Sequence, residues 1–260
     1  MSTKLISRIP AYDILIARWF LLIIGCIAAW WGIVGFSVFW RQSSVERIAN
    51  QVIAGTPFKG VTLAKQLPTI ESIEKAAWCR PAALRSAALI RLRMVEAAAS
   101  TGDRKPADED LKSLGYVIRS SLSCLPADPF LWLVLYWVES TQNGIKPEYL
   151  NYLRMSYQLG PNEGWIVFKR NPLAFANFAL LPADVATDAI NEFLALINSE
   201  LYQQAVEIFS GPAWQVRDTI LPHLATLPRR NREAFARVVF DRGLAVTVPG
   251  VDPPKSHPWQ

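Results

Sequence analysis

The sequence predicts an all-α protein in which one N-terminal transmembrane helix is followed by a helical repeat or an irregular helical bundle. Three observations carry this. Trp19 to Trp40 is an unbroken run of twenty-two residues without a charge. Beyond it, apolar residues recur at three- and four-residue steps, the period of an amphipathic helix, and alternating strand patterns are absent. Pro and Gly fall between these periodic stretches, at Gly160-Pro161, Pro172, Pro182, Gly211-Pro212, Pro228 and Gly243.

The first element is the apolar run. At about 1.5 Å per residue a helix of this length spans about 30 Å, the thickness of a hydrocarbon core. Trp19 and Trp40 close its ends and Arg18 and Arg41 lie just outside, a placement suited to the headgroup layer. Its last residues, Phe36, Ser37, Val38, Phe39 and Trp40, do not form the small-residue site of a cleaved signal peptide, so the anchor is expected to stay. Ile23-Ile24-Gly25-Cys26 resembles the lipobox of bacterial lipoproteins, but fourteen more uncharged residues follow Cys26, which favours a plain helix cysteine. Gly25, Ala28, Gly32 and Gly35 form a small-residue face on which another membrane helix can pack.

Basic residues flank both ends equally, Lys4, Arg8 and Arg18 before and Arg41, Arg47 and Lys59 after. A short tail, one span and a large C-terminal domain form the plan of a signal anchor, which leaves residues 1–18 in the cytoplasm. Gln42 to Pro68 reads as a juxtamembrane linker, 41–68. In it Ser43 caps a short turn carrying Val45, Ile48, Val52 and Ile53, and Gly55, Pro57 and Gly60 then break the pattern.

The domain that follows, 69–245, reads as helix after helix. Expected spans are Thr69 to Trp78, Pro81 to Ser100, Asp108 to Ser123, Pro147 to Gln158, Glu163 to Phe168, Ala183 to Asn198, Glu200 to Phe209, Trp214 to Leu224 and Arg230 to Arg242. Pro81 suits a first helical turn, and Leu84, Ala88, Leu92, Val95 and Ala99 then mark one face against Arg85, Arg91 and Arg93. Pro129 to Val138 is apolar all round, yet too short to span a membrane, and is read as a central buried helix. Residues 246–260 are a proline-rich tail that places Trp259 near the terminus. With 51% apolar and 19% charged residues, the chain has the makings of a packed core rather than a disordered tail.

Pro126 and Pro161 are thirty-five residues apart and Trp132 and Trp165 thirty-three, each pair leading into a helix. Helix pairs at a period near thirty-four residues resemble tetratricopeptide arrays. Tyr202, Ala205, Val206 and Phe209 match that family's second-helix pattern, while Tyr136 and Tyr149 stand where it wants small residues. The resemblance covers Asp108 to Leu224; a generic helical bundle is the alternative. More loosely, the run Arg154 to Trp165 and the single anchor look like helical-repeat accessory proteins of bacterial surface-polysaccharide assembly. That resemblance implies a role in making or exporting an envelope glycan and a bacterial inner-membrane location.

Three cysteines exclude a disulfide-dense scaffold and a four-cysteine zinc site. Cys79 and Cys124 each follow a helix with one helix between them, so an up-down-up stack brings both to one side. A bridge there implies an oxidising compartment such as a periplasm; two separate thiols are the alternative. Only His223 and His257 are present, and no phosphate loop, dinucleotide fingerprint or serine elbow occurs. Neither catalysis nor a cofactor or metal is expected. The net charge of +5 is modest, and no basic run with interleaved aromatics points to nucleic acid.

Binding has three candidates. Arg229, Arg230 and Arg232 cluster at a helix start, a contact for an acidic sugar or carboxylate or else a solvated loop. Trp165, Lys169, Arg170 and Asn171 set an aromatic face beside cations and an amide, suited to sugars or peptides, although Trp165 also fits a core role. The tail with Trp259 is the third. The expected function is a non-enzymatic, membrane-anchored scaffold binding a protein partner in envelope polysaccharide assembly. The alternative is a ligand-binding or catalytic subunit whose site assembles from distant helices.

Overall fold

A computed structural model describes residues 11–56, 58, 60–76, 79–100, 108–161 and 163–252, and all regular structure among them is helical. Residues 1–10, 101–107 and 253–260, with Trp78, His257 and Trp259, lie outside the described residues.

The first helix, α1 (Ala11–Ile53), runs unbroken for 43 residues, about 65 Å of axis. Its stretch Leu15–Phe36 is long and apolar enough to cross a membrane, and none of its most apolar window is buried. This stretch begins about one turn earlier than the tryptophan-to-tryptophan run. The linker expected at 41–68 is, in its first part, a continuation of the same helix. Ser43 does not cap a new turn; its hydroxyl donates back to the Trp40 carbonyl at 2.8 Å inside α1. The physical reason lies further on: Val45 and Ala49 are fully buried against the domain, with Ile48 packed beside them. That stripe needs helical spacing through residue 45, and nothing at 41–44 breaks the hydrogen-bond ladder. The break comes at Gly55, whose φ of +80° is the left-handed region that favours glycine.

Short helices α2 (Gly60–Ala64) and α3 (Leu67–Glu74) lead to α4 (Pro81–Ser100) and α5 (Asp108–Cys124). The end of α1 packs on α3 and α4, and α4 on α5. Asp128 caps α6 (Pro129–Asn143), accepting from the Phe130 and Leu131 N–H groups at 3.0 and 3.2 Å. As expected of an all-apolar helix too short for a membrane, α6 is central, with Leu131, Leu133, Val134, Leu135, Tyr136 and Val138 buried.

From here the helices pair: α6 with α7 (Pro147–Leu159), α8 (Gly164–Ala176) with α9 (Ala183–Asn198), and α10 (Tyr202–Ser210) with α12 (Arg229–Asp241). The members also line up in two layers. In one, α6 touches α8 and α8 touches α10; in the other, α7 touches α9 and α9 touches α12. Phe175, Phe193, Phe209 and Phe235, one from each of the last four long helices, lock this end together at ring separations of 5.6 to 6.1 Å.

Three spans differ clearly from expectation, the first being Thr69 to Trp78, where the helix is α3, Leu67–Glu74. Helix α8 does not stop at Phe168 but runs through Pro172 to bury Ala174 and Phe175. Tertiary burial outweighs the hydrogen bond that Pro172 cannot make to the Phe168 carbonyl. Conversely, Trp214 to Leu224 is not one helix. It splits into 3-10 turns at Trp214–Val216 and Leu221–Thr226 around the single turn α11 (Arg217–Ile220), because Pro222 interrupts the α ladder.

Candidate functional site

The α1 terminus, α4, α6 and α8 enclose a groove. Its floor is Phe130, with Leu133, Val134 and Trp137 further along α6; Leu89 and Leu92 of α4 form one wall, and Trp165 and Phe168 of α8 the other. Val52, Ile53 and Thr56 close the end nearest α1. The compartment at that end has a volume of about 430 Å³, and a second of about 310 Å³ continues toward Pro172 and Leu173. Both compartments share Leu92, Phe130, Phe168, Glu96 and Lys169.

The groove keeps large apolar side chains in solvent. Trp165 is 39% and Phe168 41% exposed, although each has one side packed. The Trp165 ring rests on Phe130 at 4.8 Å with the Arg85 guanidinium 5.8 Å from its centroid, and its indole N–H donates to Glu163 at 2.9 Å. Arg85 is itself held by Asp128, the α6 cap, at 2.6 Å. One ion pair crosses the opening: Lys169 of α8 reaches Glu96 of α4 at 3.1 Å, and Arg93 shares the same carboxylate at 3.2 Å. The lining side chains hold two cations, Lys169 and Arg93, on the one carboxylate of Glu96, while the Glu163 carboxylate beside them is engaged by the Trp165 indole.

Of the residues singled out from sequence, Trp165 and Lys169 line this groove. Asn171, fully buried and donating to the Ala189 carbonyl at 2.8 Å, does not, and contrary to expectation neither does Arg170. Its side chain is fully buried and points the other way, onto Glu192 of α9. It also donates to the Ser156 and Gly160 carbonyls at 2.6 and 2.9 Å and lies 4.3 Å from the Tyr157 ring centroid. Helical geometry explains the split, because residues 169 and 170 are about 100° apart around the axis. Burial holds the Glu192 carboxyl above the usual range despite the opposing pull of Arg170, and pushes the Tyr157 hydroxyl well up.

The arginine cluster at the start of α12 also disperses. Arg229 bonds Glu233 one turn on at 2.6 Å, Arg230 reaches Glu200 at 3.1 Å, and Arg232 donates to the Pro249 carbonyl at 2.6 Å. Arg232 therefore holds the chain after α12 against the helix, with Gly250 packed on its guanidinium. Gly25, Gly32 and Gly35 have open space where a side chain would stand, and Ala28 is exposed. Cys79 and Cys124 are bonded, with Cα atoms 5.8 Å apart, tying the start of α4 to the end of α5. Cys26 is free and exposed.

Sequence reasoning missed Glu96, Phe130 and Phe168 as groove residues. Leu92 and Phe130 read as core, and only the fold shows that their outer edges line an open cleft. The one available signal was Trp165-x-x-Phe168-Lys169, two aromatics and a cation on one helical face. Among the described residues no group of three His, Cys, Asp or Glu side chains stands close enough to hold a metal ion. Comparison with family models, curated proteins and solved structures found no match.

Proposed function

We propose that this chain is a non-enzymatic adaptor of the bacterial inner membrane that holds a protein partner in the groove between α4, α6 and α8. The observation that carries the reading is a solvent-open apolar groove built onto the same helix that carries the apolar stretch. Solvent does not tolerate Leu15–Phe36 exposed along its whole length; a bilayer does. Unbroken helix from that stretch into the packed residues Val45 and Ala49 makes the anchor a rigid mount rather than a tether. The Cys79–Cys124 bond supports a periplasmic domain, and hence cytoplasmic residues 1–18.

Helix pairs stacked in two layers support the tetratricopeptide-like reading, in which a concave surface carries specificity. The proposed setting, assembly or export of an envelope polysaccharide, rests on the looser resemblance of the sequence to accessory proteins of that process. A second reading, a small-ligand subunit, draws on the volume of about 430 Å³, within the range of small-molecule sites.

Topology is tested by fusing alkaline phosphatase or green fluorescent protein after Asp252. The proposal expects phosphatase activity and a dark fluorescent fusion, and the opposite pair overturns it. Adaptor and ligand readings separate by co-purification from nanodiscs. A stoichiometric protein lost on Phe168→Glu supports the adaptor, whereas a small molecule retained by the purified chain supports the second reading.

A further inference from the structure

Resting on the adaptor reading, we propose that the groove takes a water-exposed amphipathic α-helix whose carboxylate replaces Glu96 on Lys169, with an apolar side chain in each flanking compartment. Charge comes first. Lys169 and Arg93 share the single lining carboxylate of Glu96, so an incoming carboxylate binds Lys169 while Glu96 keeps Arg93. Lys169 is free to make that exchange, its side chain being 62% exposed.

Shape sets the spacing. The Lys169–Glu96 bridge lies among the residues common to both compartments, with apolar lining on either side. The α8 wall from Trp165 to Leu173 measures about 12 Å along its axis, close to the roughly 10.5 Å between positions i and i+7 of a bound helix. Apolar residues at i and i+7 with an acid at i+4 place the three groups in that order.

Backbone chemistry selects a helix over an extended peptide. The groove is walled mostly by the middles of helices, where N–H and C=O groups are paired along the helix, although Pro172 of α8 supplies no donor to the turn before it. An extended segment would bury a row of its own unpaired groups there, and a helix buries none. Location selects the partner's compartment. Val52 stands sixteen residues beyond Phe36 on one continuous helix, about 24 Å past the apolar stretch, too far for a partner's membrane-spanning segment.

The test uses the full chain in lipid nanodiscs and a fluorescein-labelled, capped sixteen-residue alanine-based helix with Leu at i and i+7 and Glu at i+4, read by anisotropy. Three sibling peptides carry Gln at i+4, Lys at i+4, or the second Leu moved to i+5. We expect the Glu peptide to bind best, with Gln weakening it about fivefold and the displaced Leu by more. Lys169→Glu should reverse the preference toward the Lys peptide, and Glu96→Gln should tighten the Glu peptide; an unchanged melting curve shows that each variant is folded. Equal binding of the four peptides overturns the proposal. So does a wild-type dimer in nanodiscs that Phe168→Glu dissociates, because a second copy then fills the groove. The adaptor reading fails separately. Photo-crosslinking from position 168 in native membranes that yields no protein adduct sinks it, whereas an adduct that persists in Lys169→Glu removes only the carboxylate exchange.

Discussion

Replacing Arg170 by Met should be strongly destabilising, and its cost should depend on pH. Met keeps most of the volume but leaves Glu192, whose side chain is only 3% exposed, without its cation. The Ser156 and Gly160 carbonyls lose their guanidinium donor at the same time, keeping only the backbone N–H groups of Gly160 at 3.2 Å and Glu163 at 3.5 Å. Removing one partner of a buried pair costs about 3 to 5 kcal/mol, a large share of the roughly 5 to 15 kcal/mol that holds a domain together. The sign with pH follows from Glu192. Its folded pKa is raised, by burial above all, so the folded state binds its proton more tightly than the unfolded chain does. Stability contributed by that carboxyl is therefore highest below its ordinary value and falls as pH rises through the raised one. Without Arg170 burial is less opposed, the folded pKa climbs further and this window widens upward. Urea unfolding of the full chain in detergent, followed by circular dichroism, should show a larger deficit at pH 8 than at pH 5. Arg170→Met combined with Glu192→Leu should recover most of the loss and its pH dependence. A deficit below about 1 kcal/mol at pH 8, where a buried pair predicts several times that, refutes the reasoning. So does a deficit equal at the two pH values.

Three further outcomes follow from local geometry. A Cβ at Gly160 would stand 2.7 Å from the Pro129 ring and 2.9 Å from Glu163. Gly160→Ala should therefore destabilise by about 1 to 3 kcal/mol through overpacking, measured by the same urea titration. Asp128→Ala removes both the α6 cap and the Arg85 partner and should cost about 1 to 2 kcal/mol, while Asp128→Asn, which still caps, should cost less. Replacing Cys79 and Cys124 by Ser opens a cross-link between residues 45 apart, and chain entropy puts the loss at up to about 4 kcal/mol; thiol alkylation before and after reduction checks that the native chain is bridged.

Legibility in the sequence tracked how local the deciding physics is. Pro81 to Ser100 and Ala183 to Asn198 matched α4 and α9 end to end, because a first-turn proline or strong periodicity marks their limits within a few residues. Where a distant surface decides, reading along the chain failed. Nothing near Gln42 shows that Val45 and Ala49 will be buried against the domain. Pro172 reads as a stop until Ala174 and Phe175 are seen in the core. Arg170 looks like a surface cation until Glu192, twenty-two residues on, is brought against it. The groove is the extreme case. Leu92, Phe130 and Phe168 come from three helices, and no spacing within one helix reports the empty space between them.

Site-specific photo-crosslinking in native membranes tests the central claim most directly. A benzophenone side chain is placed at Phe168 in the groove or at Tyr116, 64% exposed on α5 and not among the groove-lining residues. The adaptor account predicts one discrete protein adduct from position 168 and none from position 116. Adducts of equal yield from both positions, or none from position 168, would contradict it.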